Sequence, residues 1–143
     1  YYQTDLGFFG VPILFYDPSG EMPKGVSDKI AQQIDIMPTV LGWLNYDAPY
    51  VAFGCDLIHD NPSELFAVNY CNGIYQYVKN GKTLQFDGDK VVGFYDLNDS
   101  LMQKNFVGNS VQQIKMENEV KAIVQQYMSR MNEDRLTITT DKK

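Results

Sequence analysis

The hydrophobic positions fall into three regimes along the chain. From Val11 to Tyr16 they form a nearly continuous run, Val-Pro-Ile-Leu-Phe-Tyr, closed by Asp17-Pro18-Ser19-Gly20. A run without alternation predicts a strand buried on both faces, as in a parallel or mixed sheet, with Pro12 tolerated only near its start. Asp17 to Gly25 holds two prolines and two glycines and reads as a loop. Ile36, Val40, Trp43 and Leu44 then recur at helical spacing. They predict a helix from Ile36 to about Asn45 that packs on the sheet, with Asp35 as its N-cap and Pro38 where a missing N–H costs little.

The second regime reads as antiparallel β. Strands are predicted over Leu65–Tyr70, Ile74–Lys79, Thr83–Phe86 and Val91–Tyr95. Asn80-Gly81 is a strong two-residue hairpin signal, because both central residues must tolerate positive φ. Asp87-Gly88-Asp89 supplies the next turn. The third regime is one long helix, about Ser110 to Glu133. Val120, Ile123, Val124, Tyr127, Met128 and Met131 form its apolar stripe, with Lys, Glu, Gln and Asn opposite. The tail after Leu136 is polar and expected to fray.

Composition narrows the possible partners. The 143 residues carry a net charge of -6 and 44% hydrophobic residues, as an ordinary globular chain does. No basic stripe is present to neutralise phosphates, so nucleic-acid binding is not expected, and docking on anionic lipid is disfavoured. A bilayer span needs about 20 apolar residues, and the longest apolar run, Phe8 to Tyr16, is broken by Gly10 and Pro12, so direct membrane insertion is not expected. The start at Tyr1, within what reads as structured sequence, suggests a piece of a longer protein. Cys55 and Cys71 are too few for a disulfide framework; they are read as two buried thiols, with a bridge as the alternative.

Three ordered stretches resemble the C-terminal part of sulfatase domains of the alkaline phosphatase superfamily. The first is Gln33-Ile34-Asp35-Ile36-Met37-Pro38-Thr39-Val40-Leu41. The second is Phe53-Gly54-Cys55-Asp56-Leu57, which is similar to the form found in the lipoteichoic acid synthase branch. The third is Phe94-Tyr95-Asp96-Leu97-Asn98-Asp99, continuing to Asn105-Phe106, where Ser100 and Gln103 replace the family's usual Pro and Glu. Val11 to Leu14 also fits a family strand, with Gly10 where a basic residue is common. The resemblance implies residues 1–60 as the end of an α/β sandwich core, 61–107 as a small antiparallel subdomain and 108–143 as a C-terminal helix and polar tail. It implies a membrane-anchored, extracytoplasmic hydrolase or phosphoglycerol- or phosphoethanolamine-type transferase. That enzyme would act on phosphate or sulfate esters with a divalent metal such as Mn, Mg, Ca or Zn. The upstream half of the same domain would be this segment's main partner, and an uncovered strand edge at Val11–Tyr16 would favour self-association.

No catalytic, cofactor-binding or metal residue is assigned within the chain. His59 is the lone histidine and reads as a loop residue rather than a ligand. Asp35 is read as a helix cap, Thr39 as a helix residue and Asp56 as a turn residue. Neither Cys55 nor Cys71 is followed by the x-Pro-x-Arg of a sulfatase nucleophile. Asp87, Asp89, Asp96 and Asp99 lack the glycine and terminal glutamate of an EF-hand loop. Tyr70, Tyr75, Tyr77, Phe86, Phe94 and Tyr95 are expected to pack a sheet. The alternative function is a stand-alone extracytoplasmic module whose exposed tyrosines recognise glycan or protein.

Overall fold

A computed structural model describes residues 4–138 of the chain; the end of the polar tail lies outside them. The elements run α1 (Asp5–Phe8), a 3-10 turn (Gln33–Asp35), α2 (Ile36–Trp43), β1 (Ala67–Cys71), β2 (Ile74–Lys79), β3 (Lys82–Phe86), β4 (Val91–Asp96) and α3 (Val111–Asn132). The chain is thus mixed α/β, a four-stranded antiparallel meander in the order β1-β2-β3-β4 with a long C-terminal helix.

Local chemistry sets the meander. Asn80 and Gly81 both have positive φ, at 49° and 72°, and join Lys79 to Lys82. Asn72 and Gly73 repeat the device at 51° and 84° between Cys71 and Ile74. The third turn is held by Asp87, whose Oδ1 accepts the N–H groups of Asp89 and Lys90, both at 2.9 Å. A register shift at Gln85/Phe86 marks an irregularity between β3 and β4.

The core lies between this sheet and α3. Tyr77, Leu84, Phe86, Phe94, Met116 and Val120 are buried together, with Tyr75, Val68, Ile123 and Val124 packed against them. Ser110 caps α3 by accepting Gln113 N–H at 3.2 Å. The predicted apolar stripe divides: Val120 is fully buried, whereas Tyr127, Met128 and Met131 are exposed. Met116 and Gln113 extend the buried face toward the helix start instead. Across the interface, Glu119 accepts the Tyr77 hydroxyl at 2.9 Å and pairs with Lys79 at 3.5 Å. Burial, and then Glu119, push the Tyr77 phenol well above its ordinary pKa.

The N-terminal third departs from expectation. Val11–Tyr16 is not a strand buried on both faces. It lies outside any sheet, and Leu14 and Tyr16 are 90% and 85% exposed. A strand exists only through its ladder bonds, and among the described residues Ile13 to Tyr16 make no backbone hydrogen bond. Helix α2 forms where expected and ends two residues early. It does not bury its apolar face, since Ile36, Met37, Val40 and Leu44 are exposed and only Pro38 and Thr39 are buried.

Candidate functional site

The polar chemistry of the chain concentrates where α2 meets residues 53–60. Asp35 is completely buried, and among the described residues no cation pairs with it. Its Oδ2 accepts Gln32 N–H and its Oδ1 accepts Cys55 N–H, both at 2.8 Å. It is therefore a cap, but it reaches back to Gln32 and across to Cys55 rather than forward into α2. Burial raises its pKa above the ordinary carboxylate value, against the opposing pull of the two N–H bonds.

Thr39, also fully buried, completes the clamp. Its hydroxyl donates to Asp35 C=O at 2.6 Å and accepts Leu57 N–H at 3.0 Å. Gly54 has no room for a side chain, because a Cβ there would collide with the Ile34 carbonyl. The Asp35–Thr39 and Phe53–Leu57 stretches are thus fastened to each other by two buried side chains and one close backbone approach.

Asp56 and His59 form the outer part of this corner. Asp56 Oδ1 accepts the N–H groups of Ile58 and His59, at 2.9 and 3.1 Å, which is the turn role expected of it. Its Oδ2 lies 2.7 Å from His59 Nδ1, a pairing the sequence reading missed. Spacing i to i+3 in a loop was the available signal. Gly42 of α2 leaves the space for this pair, since a Cβ there would collide with Asp56 Oδ2. Burial pushes the Asp56 carboxyl up, but hydrogen bonds from the His59 ring and from the Ile58 and His59 backbone outweigh it and hold the group below its ordinary value.

This corner positions an imidazole and does little more. The His59 side chain is 56% exposed and Asp56 orients its ring. Among the described residues no hydroxyl or thiol hydrogen-bonds to it. Burial, followed by the charges of Asp35 and Asp60, pushes the Cys55 thiol up, so it stays protonated and weakly nucleophilic. Among the described residues no group of three or more His, Cys, Asp or Glu is placed to hold a metal ion. No chemical step is assigned to the divalent metal implied by the resemblance.

The remaining candidates are placed simply. Cys55 is half-buried and Cys71 exposed, both as free thiols, so the reading of two buried thiols fails at Cys71. Asp96 pairs with Lys82 at 2.7 Å, and Asp99 accepts Lys104 N–H at 2.8 Å. Tyr77, Phe86 and Phe94 are core; Tyr70 is exposed and packs against Tyr75 with ring centroids 4.6 Å apart and planes tilted by 44°. An open groove of about 570 Å³ runs between residues 50–53 and α3, lined by Phe53, Ile123 and Arg130 among others. No helix among the described residues is long and apolar enough to cross a membrane. Comparison of the chain with protein-family models, with characterised proteins and with solved structures finds no match.

Proposed function

We propose that this chain is the C-terminal scaffold of a sulfatase-like, metal-dependent hydrolase or phosphotransferase domain, nearest the lipoteichoic acid synthase branch. The observation that carries the reading is the buried clamp. Two stretches that separately resemble the family, Gln33–Leu41 and Phe53–Leu57, meet through Asp35, Thr39 and Gly54. The residue types in both stretches share one physical role, fastening α2 to residues 53–57, and this supports the reading. The third stretch also has a fold role: Asn105 bonds to β4. In this reading the nucleophile, metal and substrate contacts belong to the upstream half of the domain. That half also covers the exposed side of α2 and residues 11–16. The enzyme works on ester-linked phosphate or sulfate at the outer face of the cytoplasmic membrane.

The isolated chain should show no turnover of an aryl phosphate or aryl sulfate with Mn²⁺. Robust metal-dependent turnover would move catalysis into these residues and overturn the reading. The reading frame upstream of Tyr1 should encode a Thr, Ser or Cys nucleophile and an Asp-His pair, and a frame that opens at Tyr1 would equally overturn it.

A further inference from the structure

Two Asn-Gly turns of one design sit at opposite ends of β2, and the fold holds them unequally. Asn80 and Gly81 join β2 to β3, the two inner strands of the sheet. Val78 and Thr83 beside them are buried, and Gly81 C=O accepts Leu97 N–H at 2.9 Å. Opening that turn means parting strands that are each held on both sides. Asn72 and Gly73 join β2 to β1, an edge strand with one ladder neighbour. Tyr70 and Cys71 are exposed, as are Asn72 and Gly73 themselves. Among the described residues, neither Asn72 nor Gly73 bonds to anything outside the hairpin. The Gln32 carboxamide that reaches the outer side of β1 bonds at Val68, short of the turn. The end of β1 can therefore part from β2 while the rest of the sheet stays closed.

Asparagine followed by glycine carries its own reaction. Once a base has taken its proton, the glycine backbone nitrogen can attack Cγ of the asparagine. A new C–N bond closes an imide ring, the bond from Cγ to the side-chain nitrogen breaks, and that nitrogen leaves as ammonia with a proton from water. Water then adds to one of the two imide carbonyls, and the ring C–N bond there breaks. Opening at the former side-chain carbonyl gives aspartate. Opening at the original main-chain carbonyl gives isoaspartate, which routes the backbone through Cβ. Water is the only co-reactant, and nothing is oxidised or reduced. Glycine favours the attack because no Cβ obstructs the approaching nitrogen. Paired strands oppose it, because ring closure needs backbone rotation that a closed hairpin resists; Asn72 and Asn80 are held at φ 51° and 49°.

We infer that Asn72-Gly73 is a self-modifying site of this protein, and that Asn80-Gly81, identical in sequence, is protected by its place in the sheet. The substrate is the chain's own carboxamide and the reagent is water. Either product places a carboxylate at the end of a strand that carries no charge, and adds one negative charge to the -6 of the sequence. The isoaspartate form also lengthens the backbone between Cys71 and Ile74, so the two-residue count that sets their register no longer fits. The reaction loosens β1 and leaves β2 to β4 closed on α3. This inference concerns the sheet alone and stands whether or not the sulfatase-like reading does.

The test incubates the whole chain in mildly alkaline buffer and follows its peptides by mass spectrometry, with fragmentation that separates aspartate from isoaspartate. In the folded chain Asn72 should gain the amide-to-acid mass change at least about fivefold faster than Asn80, the factor given by one net hydrogen bond at Gly81 alone. In denaturant the two sites should convert within about twofold of each other, because the fold no longer distinguishes them. Asn72→Gly keeps a turn that tolerates positive φ and should abolish the fast site while Asn80 keeps its slow rate. In the isolated isoaspartate form the Ile74 amide should exchange at least about fivefold faster than in the parent, with the Leu84 amide unchanged. Equal rates at the two sites of the folded chain, or a faster Asn80, overturn the inference. So does an Asn72 that stays intact while the denatured chain converts. A ratio in denaturant equal to the folded one would place the cause in the flanking residues and overturn it too, and an Ile74 amide as protected as in the parent would overturn the loosening of β1.

Discussion

The half of the chain from β1 to α3 and the half before it use opposite materials. Between sheet and helix the buried groups are mostly apolar, Leu84 and Val120 foremost, with Gln76, Thr83 and Gln113 as buried polar exceptions. Around α2 they are polar: Asp35 and Thr39 are buried while Leu14, Tyr16 and Val26 stand in solvent, Val26 at 99% exposure. The first half is held by area removed from water. The second is held by hydrogen bonds that fasten two loops to one short helix. Non-directional burial tolerates small errors of position, whereas a clamp of two side chains depends on each atom. Damage should therefore spread differently in the two regions.

The largest effect is expected from truncating the apolar core. Leu84→Ala should destabilise the sheet and α3 by roughly 2–5 kcal/mol, since it leaves a cavity under Val120 and Phe94. Leu14→Ser, an equally drastic change in hydrophobicity, should stay within about 0.5 kcal/mol. Urea unfolding followed by tyrosine fluorescence reads both. Equal losses would mean that residue 14 is covered after all, and the contrast between the halves would collapse.

A smaller and more local effect belongs to the clamp. Asp35→Ala leaves the buried N–H groups of Gln32 and Cys55 without acceptors and should cost about 1–3 kcal/mol. The loss should register as fast exchange of the Cys55 and Leu57 amides, with the sheet amides still protected. The pH dependence has a definite sign. The folded chain holds the Asp35 proton more tightly than the unfolded one, because burial raises the pKa from the ordinary 3.8. That contribution is fully present below 3.8 and is lost as pH rises through the higher folded value. The unsubstituted chain should thus lose stability across that window relative to Asp35→Asn. A difference that grows in the opposite direction would show that the two N–H bonds, not burial, dominate.

The same contrast decides how much could be read from sequence. Alternation and Asn80-Gly81 place β2 to its bounds and the other strands within two residues, and the apolar stripe places α3 within one residue at each end, at what the structure shows to be its caps, Ser110 and Glu133. These signals are local, so they survive without knowledge of the fold. Val11–Tyr16 failed for the converse reason: its apolar run names a preference, while a strand needs a neighbour. The Asp35–Cys55 and Gln32–Val68 bonds join residues 20 and 36 positions apart and leave no periodic trace. Asn72-Gly73 carries the same local hairpin signal as Asn80-Gly81. The pairing of His59 with Asp56 was within reach as well, three residues apart.

The smallest effect lies in the exposed loop of the hydrogen-bonded half, and it isolates that half's chemistry from any core. Asp17 is half-buried and accepts the Ser19 hydroxyl at 2.7 Å and the N–H groups of Ser19, Glu21 and Met22 at 2.9 Å each. These bonds, the Ser19 hydroxyl first, lower its pKa to about 2. The loop's order should therefore persist as pH falls past 3.8 and be lost only near 2. Carboxyl chemical shifts during acid titration would show it. Ser19→Ala should move the midpoint upward while leaving the urea transition of the sheet where it was. A coupled shift in both would mean that the loop and the core share one cooperative unit, and the two halves would no longer be separable by what holds them.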